Sequence, residues 1–186
     1  MPKYYIPKKD FYIIPFEDVK MMINAAKDIR MKAILALVWI TGARIGEILK
    51  LRKEDFIIDP EKNLVLLTIQ TLKGGVPREL KLDINTPTMK EIVLRYIQTR
   101  HANQLFDIGE RRAQQWLTEI NQELWKDDKT KWLTFHQFRH SRSSFLGHRL
   151  RASMSELMDW FGWKSTSQVG TYQIRESSER FKDKIR

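Results

Sequence analysis

Apolar and polar positions along this chain change period several times, and each change marks an element. Phe16-Glu17-Asp18 opens an amphipathic helix that the pattern carries to about Asp28, with two acids in the first turn, where the helix dipole favours negative charge. Met31–Ile40 is apolar nearly all round, the signature of a buried helix, and Gly42 is placed to end it. Ala43–Leu51 reads as a short helix with Ile45, Ile48 and Leu49 facing inward. Asn63–Thr71 is β-branched and apolar, a strand; Lys73-Gly74-Gly75 is a turn; Pro77–Leu82 alternates in part, with Leu80 and Leu82 two apart. Together they predict a β-hairpin with a lysine at its tip. Helical periodicity returns over Thr88–Thr99, Glu110–Trp125, Thr134–Arg149 and Ser153–Phe161, the last opened by the S-x-x-E spacing of Ser153 and Glu156. A short helix over Thr166–Tyr172 follows, and Ile174, Phe181 and Ile185 form one helical stripe through the tail. One hairpin inside a helical body defines an α+β fold class, mainly helical.

Composition narrows the function classes. The chain has 186 residues, room for one domain with a real core, and its apolar content of 42% excludes a disordered polyelectrolyte. The longest apolar stretch, Ala33–Ile40, falls far short of the roughly 20 residues of a membrane span. The opening MPKYYIPKKD has no apolar core of a signal peptide, and the absence of cysteine excludes disulfides, thiolate zinc sites and a cysteine nucleophile. The formal charge is +10, and from Lys129 onward 12 Lys and Arg stand against 5 Asp and Glu, so most of the excess lies in the last third. A soluble intracellular domain with a polyanionic partner is the expectation, with a merely solvated basic surface as the alternative.

Four segments carry candidate chemistry. Within HQFRH, His136, Arg139 and His140 fall on one helix face. Their H-x-x-x-H spacing matches the histidine pair of a zinc helix, but Gln137 stands where that motif needs a general-base Glu, and Arg139 would repel a cation; no metal is expected. Histidines hydrogen-bonded within a basic helix are the plainer reading. In TGARIGEILKL, Arg44 follows a helix-ending glycine by two residues, so it is expected to be desolvated and to need an acid or an anion; Glu47, one turn on, is the candidate acid. Lys73 sits between strands beside two glycines, free to reach into a groove or to remain a surface lysine. In FGWKSTSQVGTYQI, Tyr172 stands in a polar segment after Trp163, a nucleophile if proton acceptors and cations are near and otherwise a packing residue.

Taken in order, TGARIGEILKL, TLKGGVPRELKL, FHQFRH and FGWKSTSQVGTY resemble the catalytic domain of the tyrosine recombinases, the phage-integrase family. That family's active site runs Arg, Lys, His, Arg, His or Trp, then Tyr, and the match falls on Arg44, Lys73, His136, Arg139, Trp163 and Tyr172, with Glu47 and His140 in supporting positions. The steps of 24 residues from Arg139 to Trp163 and 9 from Trp163 to Tyr172 also resemble family spacing. Trp163 stands where many members carry histidine, and its ring N–H donates without exchanging protons as an imidazole does.

The resemblance implies a tyrosine-recombinase catalytic-domain-like fold with a small β-hairpin or sheet over residues 16–174. Residues 1–15 are then an N-terminal extension or linker remnant, and the family's N-terminal clamp domain is either cut away or was never present. Residues 175–186 form a tail helix that either folds back or is exchanged between protomers. It implies a site-specific recombinase or integrase acting on double-stranded DNA without metal, cofactor or ATP, monomeric or weakly dimeric alone and tetrameric on DNA, in the nucleoid of a prokaryotic or virus-infected cell. Two guanidiniums would bind the non-bridging oxygens of the scissile phosphate, and His136 and Trp163 would add donors. Tyr172 would form the 3′-phosphotyrosine, and Lys73 would protonate the leaving 5′-hydroxyl. The rivals are a type IB topoisomerase-like activity and a DNA-binding protein that keeps the fold without strand exchange.

Overall fold

The structure is a computed structural model that describes residues 13–71, 77–82 and 87–166. Seven helices and three strands are defined among these: α1 (Phe16–Ala25), α2 (Ile29–Thr41), α3 (Ile45–Ile48), β1 (Phe56–Asp59), β2 (Leu64–Ile69), β3 (Arg78–Lys81), α4 (Pro87–Thr99), α5 (Glu110–Trp125), α6 (Phe135–Ser144) and α7 (Met154–Phe161). The fold is α+β and mainly helical, as the periodicity predicts.

α2 is the central element because its sequence leaves it no polar face. Ala33 through Val38 are each at most 1% exposed, and α1, α3, α4 and α6 pack around it. Asp28 caps its start, accepting from the Arg30 backbone N–H at 2.8 Å. Using Asp28 in this way ends α1 at Ala25, three residues earlier than the pattern predicts. Gly42 ends α2 in the left-handed conformation (φ 63°), and space as well as φ requires glycine there. A Cβ would lie 2.8 Å from Phe161 Cε1 and 2.9 Å from Arg142 Cβ, so α2, α6 and α7 meet at this residue.

The predicted hairpin exists as the pairing of β2 with β3, but it belongs to a three-stranded antiparallel sheet of order β1-β2-β3. The additional strand escapes the alternation rule because Ile57 and Ile58 are consecutive and both exposed, at 56% and 41%. Phe56 lies opposite Leu67, Leu67 opposite Leu80, and Ile69 opposite Arg78, so the inward face is apolar except for Arg78. The helix predicted over Ala43–Leu51 contracts to the single turn of α3.

The C-terminal half is tied to the core by buried polar bonds. The Asn121 side chain on α5 accepts from the Leu133 N–H and donates to the Leu133 carbonyl, both at 2.9 Å, which fixes the approach to α6. Thr134 then caps α6 in a capping box with Gln137. The Ser141 hydroxyl accepts from the Ile14 N–H at 2.9 Å. α6 widens into a π turn at Phe145–Arg149, and α7 opens on the predicted Ser153–Glu156 capping box. Leu146, Leu157 and Phe161 form a small second core with Trp160 and Trp163 against it. No helix among the described residues is long and apolar enough to cross a membrane.

Candidate active site

The C-terminal end of α2 organises the site. Its last carbonyls have no partner within the helix, so they draw donors from elsewhere in the chain. Trp160 Nε1–H on α7 donates to the Thr41 carbonyl at 2.8 Å. Arg139 on α6 donates from Nη1 to the Gly42 carbonyl at 3.0 Å and from Nη2 to the Phe161 carbonyl at 2.9 Å. The guanidinium therefore joins the negative ends of α2 and α7, where a cation is favoured, and Arg139 as a whole is buried. It also lies over the rings of Phe161 (4.9 Å) and Trp163 (5.6 Å), which stack on each other at 4.7 Å. Contacts 22 and 97 residues apart in sequence thus fix Arg139 beside Trp163 and next to the turn that leads to Arg44.

Arg44 begins α3, and Glu47 closes that turn. The Glu47 side chain is fully buried; it accepts the Arg44 backbone N–H at 3.0 Å and Arg44 Nη1 at 3.2 Å. Its second cation is Arg78 of β3, whose Nη2 donates to Glu47 Oε2 at 2.6 Å. Burial alone pushes the Glu47 carboxyl up, but the Arg78 hydrogen bond and charge, the Arg44 N–H and the charge of Arg139 outweigh it and hold the carboxyl below its ordinary value. The expected Arg44–Glu47 pair is present. The expected desolvation of Arg44 is not, because its side chain is 38% exposed. Arg78 takes the buried position, leaving Arg44 at the surface.

His136 and His140 stack edge to face with ring centres 4.3 Å apart and their Nε2 atoms 2.7 Å apart. One of the two must donate and the other accept, so the pair requires at least one neutral ring. Both titrate below the ordinary histidine value. For His136 the causes are burial and then the charges of Arg139 and Arg44; for His140, brought down to about 4, they are burial, His136 and Arg139. At neutral pH the pair is uncharged. No group of His, Asp and Glu able to hold a metal ion occurs among the described residues.

Of the eight residues picked out in the sequence, six therefore share one neighbourhood: Arg44, Glu47, His136, Arg139, His140 and Trp163. Lys73, Tyr172, the Lys73-Gly74-Gly75 turn, the Thr166–Tyr172 helix, the tail stripe and most of the 1–15 extension lie outside the described residues. Sequence reasoning missed Arg78. The signal was present, since Arg78 is in period-two register with the buried Leu80 and Leu82 and so had to point inward.

The arrangement of a buried α2, a small sheet and α6–α7 is the fold of tyrosine recombinase catalytic domains. It superposes on XerH site-specific recombinase in its pre-cleavage complex with difH substrate with a TM-score of 0.66, at 16% identity over 89% of this chain and 51% of that one. It superposes on XerA recombinase with a TM-score of 0.63, at 20% identity over 91% of this chain and 65% of that one. A lambda integrase tetramer bound to a Holliday junction gives 0.65, at 16% identity over 83% and 47% of the two chains. The model of the phage integrase family matches residues 13–179, and the chain belongs to that family. Tyrosine recombinase XerA of Pyrococcus horikoshii (strain OT-3) is 27% identical over 198 residues, which cover 95% of this chain and 64% of that protein. The chain thus spans less than two thirds of its curated relative.

Proposed function

We propose that this chain is the catalytic domain of a site-specific DNA recombinase or integrase that breaks and rejoins strands through a covalent 3′-phosphotyrosine. Arg44 and Arg139 bind the non-bridging oxygens of the scissile phosphate, and their charge offsets the charge that builds on those oxygens as the phosphorus is attacked. His136 and the Trp163 ring N–H supply further donors; Glu47 and His140 hold Arg44 and His136. The Tyr172 phenol gives its proton to His136 or a neighbouring base, its oxygen bonds to phosphorus as the P–O5′ bond breaks, and Lys73 gives the leaving 5′-oxygen its proton. Reversal, with a 5′-hydroxyl attacking the phosphotyrosine, rejoins a strand without ATP because the ester keeps the linkage.

The observation that carries this reading is that Arg139 is held on the carbonyl of Gly42, two residues before Arg44 and its bond to the buried Glu47, in a member of the phage integrase family. The substrate is double-stranded DNA of the nucleoid. Residues 16–174 are the catalytic unit, residues 1–15 an extension or linker remnant, and 175–186 a tail exchanged between the protomers of a DNA-bound tetramer. A nicked suicide duplex, which loses the short strand that would reverse cleavage, tests the chemistry. The wild-type chain forms a covalent adduct, and Tyr172→Phe binds the same duplex without forming one. Adduct from the phenylalanine variant at the wild-type rate would reject the assignment.

A further inference from the structure

Arg78 is a buried cation that the reaction scheme above does not use. Its side chain is 5% exposed, opposite Ile69 on the apolar face of the sheet, an expensive place for a charge that serves only as a partner. Its contacts reach three segments. Nη2 donates to Glu47 Oε2 at 2.6 Å, and Nη1 donates to the Thr71 hydroxyl at 3.4 Å. Thr71 and Arg78 border the segment that contains Lys73, so the second bond spans the base of the hairpin. Gly162, immediately before Trp163, is left-handed (φ 63°) and packs on the same group: a Cβ there would lie 3.2 Å from Arg78 Nη1 and 3.4 Å from Thr71 Oγ1.

The charge count at Glu47 shows what this position does. A fully buried carboxylate is shared between a buried arginine, Arg78, and a half-exposed one, Arg44. Arg78 takes the shorter bond, 2.6 Å against 3.2 Å, and neutralises most of the carboxylate. Without Arg78 the carboxylate has only Arg44 to compensate it, and a buried, uncompensated carboxylate would draw that guanidinium inward into a two-pronged pair. Arg44 would then be withheld from a phosphate.

We propose that Arg78 is a positioning residue: by satisfying Glu47 it keeps the Arg44 guanidinium available to the phosphate, and its bond to Thr71 holds Arg78 itself in that place. The proposal rests on the strand-transfer reading, in which Arg44 is a phosphate ligand and Lys73 the general acid.

The test is single-turnover adduct formation on the suicide duplex at saturating protein, with duplex binding and circular dichroism measured in parallel at a temperature where every variant is folded. Arg78→Gln lowers the adduct rate about 10- to 100-fold, the scale of a displaced transition-state donor, with binding within about threefold of wild type. Arg78→Lys, which keeps the charge, recovers most of the rate. The double variant Arg78→Gln with Glu47→Gln is faster than Arg78→Gln alone, because no bare carboxylate is left to capture Arg44; a purely structural role predicts the reverse, a double variant worse than either single. Arg78→Gln at the wild-type rate, or a double variant no faster than Arg78→Gln, overturns the inference while a reactive wild type leaves the strand-transfer reading standing. A wild-type chain that forms no adduct overturns the strand-transfer reading, and the inference with it.

Discussion

Replacing Glu47 by glutamine isolates the charge of the one fully buried acid in the site. The side chain accepts three hydrogen bonds: Arg78 Nη2 at 2.6 Å, the Arg44 N–H at 3.0 Å and Arg44 Nη1 at 3.2 Å. Glutamine has nearly the same volume, so no cavity opens. Its amide offers one oxygen acceptor, and its NH2 is a donor turned toward a second donor. One charge-assisted bond is therefore weakened and another is replaced by donor-to-donor contact, while Arg78 stays buried without a counter-charge. Each hydrogen bond to a charged group contributes about 1.5–3 kcal/mol, and breaking a buried ion pair costs about 3–5 kcal/mol. A loss of about 3 kcal/mol is the expected balance, which in a domain of this size lowers Tm by about 6–12 °C. Thermal unfolding followed by circular dichroism at pH 7 measures it. The apolar pair Glu47→Leu with Arg78→Met should recover much of the loss, because both charges then leave the interior. A Glu47→Gln protein that melts within about 2 °C of wild type would refute the claim that this carboxylate holds the two arginines.

Other sites give independent checks. Gly42→Ala forces a left-handed alanine, about 1–2 kcal/mol, and drives its Cβ into Phe161 Cε1 and Arg142 Cβ. With the overpacking, denaturant unfolding should register a total loss of about 2–5 kcal/mol. His140 titrates at about 4 when folded against an ordinary value of 6.5, so the unfolded chain binds more protons between those values. Stability is therefore full above pH 6.5 and declines as pH falls toward 4; His140→Asn flattens that decline, and an unchanged slope in urea titrations at pH 7, 6 and 5 would contradict the assignment. Arg44→Ala lowers single-turnover cleavage by about 10²–10³ and leaves folding nearly intact, because its side chain is the exposed partner of Glu47. Arg139→Ala lowers both cleavage and Tm, since it also removes the bonds to Gly42 and Phe161.

Much of this was legible in the sequence where a single physical rule decides the outcome. Glu110–Trp125 reads correctly at both ends because its apolar positions keep one helical face over 16 residues. Gly42 and Ser153 read correctly because a left-handed stop and a capping hydroxyl are chemically specific. β1 was not legible: its pairing with β2, not its own alternation, makes it a strand, and it leaves two isoleucines in solvent. For the site, residue order gave Arg44, His136, Arg139 and Trp163, but nothing local to Arg139 shows that its partners are the carbonyls of Gly42 and Phe161. Nor does the Arg44–Glu47 spacing reveal that Arg78, 31 residues further on, takes the buried share of the same carboxylate. Such long-range satisfaction of buried polar groups is set by tertiary packing, which a local pattern does not encode.

The most direct measurement is to trap the chain on a nicked suicide duplex, digest the adduct with trypsin and nuclease, and locate the residual nucleotide by mass spectrometry. The account predicts the nucleotide on the tryptic peptide Ser165–Arg175, at Tyr172. A nucleotide on any other residue, or a wild-type chain that binds the duplex without forming a covalent bond, contradicts it.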